Sequence, residues 1–260
     1  MSGESVAERA IAFEACFNFR DLGGYPTADG GQVRWGTLYR SDTLHRLTDA
    51  DAEAFRALGL HTVIDLRSVT EVDDHGRLDP AHDHLAWHHV AMLDNLRLAP
   101  TAPGETQVPV PLPADDLTPG EGYLGIAERF GASLARVFEL LAADGALPAV
   151  FHCTSGKDRT GIVAALTLDL LGVDDGVIAD DYVLTAASRA RSAPWIQANE
   201  PEFAAFLRQI PVERRVISGE TILGFLDLAR AKYGSGRDLL LHLGVRDADL
   251  DALRGRLVEH

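Results

Sequence analysis

The segment Val150-Phe151-His152-Cys153-Thr154-Ser155-Gly156-Lys157-Asp158-Arg159-Thr160-Gly161 constrains this chain more than any other. A short apolar run, Pro148–His152, leads into a polar, glycine-containing loop, and the loop leads into an apolar stretch of helical character, Thr160–Leu171. Strand, loop and helix in that order are the unit of open α/β sheets, which bind ligands at the carboxyl ends of their strands. Backbone N–H groups of such a loop and of the first helical turn can converge on an anion. Five residues separate Cys153 from Arg159. That is enough chain to curl once around a tetrahedral oxyanion, with the thiol below and the guanidinium at the side.

Each residue type in the loop has a chemical reason. A cysteine at a helix N-terminus beside Lys157 and Arg159 favours the thiolate, the form that attacks phosphorus. The planar Arg159 fork suits two phosphate oxygens and follows their charge into the transition state. Loop amides stabilise the equatorial oxygens. The Thr160 hydroxyl is placed to hydrogen-bond the Cys153 sulfur as leaving group, and Gly156 and Gly161 allow close backbone approach. Thr154, Ser155, Gly156, Lys157, Arg159 and Thr160 are therefore the candidate substrate-binding set. His152 is a supporting candidate, because it precedes the nucleophile on a strand and alternation turns it away from the phosphate. Asp65 ends a neighbouring strand, from which it could hold Lys157 or pair with Arg67. The Gly156-Lys157 pair lacks the preceding glycine and the following Ser or Thr of a nucleotide-binding loop.

Around this loop, strand and helix patterns alternate. Gln32–Arg40 reads as a strand or a hairpin about Gly36, Thr48–Asp51 as a helix start leading to about Leu58, His61–Leu66 as a buried strand, and Leu85–Ala91 as another. Six of the twelve prolines fall between Pro100 and Pro119, so about 93–120 is expected to be a long surface loop. Glu121–Ala143 has the spacing of one helix. Beyond Gly172 the chain reads as helical over Asp174–Ala187, Pro194–Arg208, Thr221–Tyr233 and a final pair ending near Val258, after which Glu259-His260 carries no structural weight. The expectation is an α/β fold with a central, mostly parallel twisted sheet flanked by helices. It is one domain over 1–260, with a C-terminal helical layer or lid at about 174–258.

Composition narrows the function classes. With 24 Lys+Arg against 39 Asp+Glu the net charge is −15, which argues against a nucleic-acid partner and against stable docking on anionic membrane. Residues 189–215 run the other way, with five arginines (Arg189, Arg191, Arg208, Arg214, Arg215) and three acids, as solvated helix faces or a cationic cover over the site. Cys16 and Cys153 cannot make a disulfide framework; Cys16 reads as a small buried hydrophobe or as a redox guard for Cys153. No apolar stretch is long enough to span a bilayer and the N-terminus lacks a cleavable signal pattern, so a cytoplasmic protein, or one exported without such a peptide, is expected. His82, His84, His88 and His89 do not have metal-ligand spacing, and no metal or cofactor is expected.

His152-Cys153, five residues, then Arg159-Thr160 resembles the phosphate loop of cysteine-dependent protein-tyrosine and dual-specificity phosphatases. The longer Cys-x-x-Gly-Lys-Asp-Arg-Thr-Gly string is similar to one branch, the bacterial and fungal tyrosine phosphatase-like family that includes secreted mycobacterial phosphatases. Asn18–Tyr25, Tyr39–Asp42, Val63–Ser68, Tyr233-Gly234-Ser235 and Leu243-Gly244-Val245 look like its recurring blocks, in order along nearly the whole chain. Ser155 stands where that branch usually shows Ala. The resemblance implies a metal-independent phosphatase acting on phosphorylated protein or small phosphomonoesters, with Cys153 as nucleophile and Arg159 as phosphate ligand. It further implies that Asp158 protonates the leaving group, with Asp94, Asp115 and Asp116 as competitors. Phosphotyrosine is the leading substrate; a dual-specificity or phosphoinositide activity, or a phosphate-binding module without turnover, are the alternatives. Arg20 with Asp21 and Arg40 with Asp42 are expected to fix the fold.

Overall fold

The strand that precedes the loop is the middle of a five-stranded sheet. β6 (Ala149–His152) lies between β3 (Leu38–Ser41) and β4 (Thr62–Asp65), with β1 (Arg20–Asp21) at one edge and β5 (Ala86–His89) at the other. β3, β6, β4 and β5 run parallel, and β1 is antiparallel to β3. A computed structural model describes residues 9–78, 85–92, 118–210 and 215–260. The expected Pro-rich loop falls almost wholly outside these, as do Asp94, Asp115, Asp116, His82 and His84.

Alternation along the strands sorts the apolar residues into two cores. Val63 and Val150 face Cys16, Phe19, Leu44 and Phe55 from the N-terminal part of the chain. Ile64, Ala149 and Phe151 face the helices that follow, with Phe138, Leu166 and Phe225 at their centre. The sheet is thus covered on both faces, as parallel sheets require.

Register then places the site. Ser41 pairs with His152, His152 pairs with Asp65, and Asp65 pairs with His89. The carboxyl ends of all four parallel strands stop on one line, so Asp42, Cys153 and Leu66 open their loops side by side.

The helices differ in detail from the sequence reading. Glu121–Ala143 is two helices, α3 (Pro119–Arg129) and α4 (Gly131–Ala142), because Phe130 leaves the helical region at φ −106° and ψ 29°. The chain then continues through Gly131, where a Cβ would lie 2.6 Å from the Leu243 side chain. The earlier helices are α1 (Ala52–Ala57) and α2 (Val69–His75). α5 (Asp158–Leu171) follows the loop and ends at left-handed Gly172.

α6 (Asp175–Asn199) runs straight through Pro194, which was expected to start a new helix. The proline removes one N–H bond, to Ala190, and both residues are exposed, so the freed carbonyl turns to water. The chain breaks instead at Glu200, before α7 (Pro201–Gln209). α8 (Gly219–Tyr233), α9 (Gly236–His242) and α10 (Asp247–Leu257) complete the layer.

Gln32–Arg40 is not a hairpin. β2 (Gln32–Val33) pairs with β7 (Val258–Glu259), the last strand of the chain, while β3 joins the main sheet. Glu259 therefore carries weight after all: its backbone pairs with Gln32 and its carboxylate accepts from the Gln32 amide.

Candidate active site

The loop from Cys153 to Lys157 is shaped by groups that grip its carbonyl oxygens. Thr43 N–H donates to Thr154 O at 3.2 Å, and Asn18 Nδ2 donates to Ser155 O and Gly156 O at 3.0 and 3.1 Å. Arg40 donates to Gly156 O at 2.8 Å. In a trans peptide the next N–H points opposite its carbonyl, so the Ser155, Gly156 and Lys157 amides turn inward together. Gly156 has φ +63°, and a Cβ there would lie 2.6 Å from Ser41 O and 2.7 Å from Asn18 Nδ2. Its glycine identity is thus required both by conformation and by space.

The grip is itself anchored. Asn18 accepts from Arg20 through Oδ1, and its backbone N–H donates to Asp42 at 2.9 Å. Arg20 and Arg40 meet on one carboxylate, Asp181 of α6, at 2.9 and 2.6 Å, and Tyr25 donates to it at 3.0 Å. Burial opposes the Asp181 charge, but the two guanidinium groups win and hold the carboxyl far below the usual range. The expected fold-fixing role of Arg20 and Arg40 is present with a different partner. Adjacent strand residues point to opposite faces, which separates Arg20 from Asp21, while the Arg40 guanidinium is taken up by Asp181 and the Gly156 carbonyl rather than by Asp42. Asp21 instead takes the N–H groups of Gly23 and Gly36, and Asp42 those of Phe17 and Asn18.

Arg159 is buried at the first turn of α5, and its fork is filled by Glu71 of α2, which the sequence reading did not single out. Glu71 also accepts from Thr154 Oγ1 and from Ser68 N–H, the latter as half of a capping box. The spacing Ser68-x-x-Glu71 directly after a buried strand was the available signal. Burial raises the Glu71 carboxyl, yet Arg159 outweighs it and brings the group down to about 2.

Asp65 does not hold Lys157. It is fully buried and pairs with Arg67, two residues on and on the same side, at 2.6 Å. His152 Nε2 lies 3.6 Å from the same carboxylate, and burial keeps this imidazole below its ordinary pKa. Both residues therefore stand behind the loop rather than in it. Lys157 Nζ lies 3.4 Å from Asp158 Oδ1, and Tyr123 donates to that same oxygen at 2.7 Å. The Asp158 side chain is 46% exposed, whereas Cys153 is 2% exposed. Thr160 is fully buried, but its hydroxyl has no hydrogen-bond partner among the described residues, so the expected bond to the Cys153 sulfur is not present. Cys16 is a free buried thiol bonded to Ser41 and Asp42, and no disulfide joins it to Cys153.

A cleft of about 260 Å³ opens on the loop. Thr154, Ser155, Lys157 and Asp158 form one wall, Phe17, Asn18, Asp42 and Arg46 another, and Arg189, Ile196, Phe203 and Leu207 of α6 and α7 the third. Arg215 also lines it, while Arg191 and Arg208 bond Phe17 O and Gln197 away from the loop, and Arg214 is outside the described residues. Arg46 fixes the helical wall to the sheet side through a two-pronged pair with Glu200. His89 bonds Arg67 O, and among the described residues no cluster of three His, Cys, Asp or Glu could hold a metal ion. No helix among the described residues is long and apolar enough to cross a membrane.

Residues 11–259 match a family model described as the tyrosine phosphatase family. The chain is 33% identical over 280 aligned positions to the triple specificity protein phosphatase PtpB of Mycobacterium tuberculosis, covering 93% of this chain and 96% of that protein. It is 36% identical over 179 residues to a Cupriavidus necator protein named as a tyrosine-protein phosphatase, covering 66% of this chain and 62% of that one. A tyrosine-protein phosphatase of Nostoc commune is 36% identical over 149 residues, covering 56% of this chain and 47% of the relative. The match thus spans under two thirds of the length of the Cupriavidus and Nostoc proteins.

Proposed function

Because the chain belongs to the tyrosine phosphatase family, we propose that it is a single-domain cysteine-dependent phosphatase that hydrolyses phosphomonoesters, with phosphotyrosine protein as the leading substrate. The observation that carries this reading is the loop itself. Three of its carbonyls are held outward by Asn18, Arg40 and Thr43, which turns the amides that follow them into the loop.

In the first step the Cys153 sulfur gives an electron pair to phosphorus as the bond from phosphorus to the leaving oxygen breaks. Arg159 and the loop amides hold the three equatorial oxygens. Asp158 gives its proton to the departing oxygen, which leaves as the alcohol. In the second step Asp158, now a carboxylate, takes a proton from water; the water oxygen attacks phosphorus, and the thiolate returns with inorganic phosphate. Activity beyond phosphotyrosine is the second reading, favoured by Arg46, Arg189 and Arg215 along the cleft and by the triple specificity for which the mycobacterial relative is named. A panel of phosphotyrosine peptides, phosphoserine peptides and inositol phosphates tests the choice. Preference for inositol phosphates would overturn the phosphotyrosine reading.

The acid role gives a sharper expectation. Asp158→Ala should lower kcat/KM for phenyl phosphate by about 10²-fold and for 4-nitrophenyl phosphate far less, since a good leaving group needs no proton. Equal losses on both would remove Asp158 from that role. Asn18→Ala should lower kcat/KM by about tenfold, because Ser155 O and Gly156 O lose their shared donor and the amides behind them lose direction. Unchanged kcat/KM with an unchanged fold would show that the loop keeps its shape without Asn18.

A further inference from the structure

Two tyrosines stand behind Asp158. Tyr123 of α3 donates to Asp158 Oδ1 at 2.7 Å, and its oxygen lies 2.6 Å from that of Tyr182 on α6. A phenol has one proton to donate. Tyr123 gives its proton to Asp158, so the bond between the phenols runs from Tyr182 to Tyr123. The chain Tyr182 to Tyr123 to Asp158 therefore has a direction. Both phenols are buried, and burial together with the nearby Asp158 carboxylate raises them above the ordinary phenol range, which keeps both protons in place at neutral pH.

Both phenols are set by close packing. α3 approaches α8 so tightly that a Cβ on Gly120 would lie 2.6 Å from the Gly224 carbonyl carbon, and Tyr123 packs edge-on against Phe225 at 6.4 Å. The Tyr182 ring lies against Gly161 of α5, where a Cβ would come within 3.1 Å of it. Gly161 follows Asp158 by less than one helical turn, so the ring position and the carboxylate position are tied to the same stretch of α5.

The other neighbour of Asp158 points the same way. Lys157 Nζ also lies on Oδ1, at 3.4 Å. The Tyr123 hydrogen bond is made to Oδ1, and among the described residues no hydrogen bond is made to Oδ2. We propose that Tyr123 is a positioning residue for the acid: it ties down Asp158 Oδ1 and thereby makes Oδ2 the oxygen that carries the proton to the leaving group and later takes one from water. This rests on Asp158 acting as the acid. Oδ1 accepts the Tyr123 proton whether the carboxyl is protonated or not, so the contact survives both steps and no proton passes from Tyr123 itself.

The test measures kcat and KM for phenyl phosphate and 4-nitrophenyl phosphate on the same preparations of wild type, Tyr123→Phe, Asp158→Asn and the double variant. The ratio of the two kcat/KM values reports the step that releases the alcohol and is independent of how much protein is folded. Tyr123→Phe should reduce kcat/KM for phenyl phosphate about five- to tenfold and for 4-nitrophenyl phosphate less than twofold. In the Asp158→Asn background the same change should alter the ratio by less than twofold. A ratio unmoved by Tyr123→Phe but moved by Asp158→Asn overturns the positioning role and leaves the acid intact. A ratio moved by Tyr123→Phe equally in both backgrounds shows that Tyr123 acts elsewhere. A ratio unmoved by Asp158→Asn removes the acid assignment itself.

Discussion

Cys153→Ser is expected to lower kcat by about 10⁴-fold or more on every phosphomonoester, because in the proposed route Cys153 forms the covalent intermediate. Serine is smaller than cysteine, so the buried position accepts it without crowding. The amides turned inward by Asn18, Arg40 and Thr43 remain, as does Arg159 in its Glu71 clasp. Binding of phosphate, vanadate or intact substrate should therefore persist while turnover stops. Acid quenching of the wild-type protein during turnover should trap phosphate on Cys153, and the variant should trap none. Persistent turnover in Cys153→Ser at a comparable rate, or a wild-type phospho-adduct on another residue, would reject the phospho-cysteine route. Chelator should leave the wild-type rate unchanged, and a rate lost to chelator would reject it equally.

Asp181→Asn should destabilise the protein by about 3–5 kcal/mol, since it leaves the buried Arg20 and Arg40 without their countercharge. For a chain of this length that corresponds to a fall in Tm of about 10 °C. Its effect also depends on pH with a defined sign. The folded Asp181 carboxyl is depressed relative to an unfolded value of about 3.9. Its contribution is therefore complete above that value and drains away as the pH falls below it. Glu71, brought down to about 2 by Arg159, adds a second fall in the same direction between roughly pH 4.3 and 2. Thermal melts from pH 7 to pH 2 should show wild type losing more stability than Asp181→Asn over the acid limb. Parallel melting curves, or an Asn variant as stable as wild type at pH 7, would show that the arginines are neutralised by other groups.

The loop was legible in the sequence because its chemistry is local. Cys153, Gly156, Lys157, Asp158 and Arg159 lie within seven residues, and a strand on one side and a helix on the other fix their geometry. The parallel sheet was legible for the same reason, since buried strands and intervening helices each carry their own period. The partners of the loop were not. Asp181 is 141 residues from Arg40, Glu71 is 88 from Arg159 and Tyr123 is 35 from Asp158. None differs in type from a surface residue, and only the fold brings them in. Neighbour pairing misled where strand geometry forbade it, at Arg20 with Asp21, and held where two-residue spacing allowed it, at Asp65 with Arg67. The break at Phe130, the passage of α6 through Pro194 and the pairing of β7 with β2 depend on tertiary neighbours that no local window contains.

The distance between Arg40 and Asp181 also sets a timetable for the making of the protein. At a synthesis rate of about 5–20 residues per second, Asp181 is added roughly 7 to 28 s after Arg40. Throughout that interval Arg20 and Arg40 lack the Asp181 carboxylate, and the loop carbonyl that Arg40 grips does not exist until residue 156. The strand partner of Gln32 and Val33, at Val258 and Glu259, arrives later still. A ribosome-bound chain therefore cannot close its phosphate loop early. The nascent N-terminal segment therefore holds Arg20 and Arg40 without their countercharge until α6 has been made, and phosphatase activity is expected only in nascent chains long enough to include it.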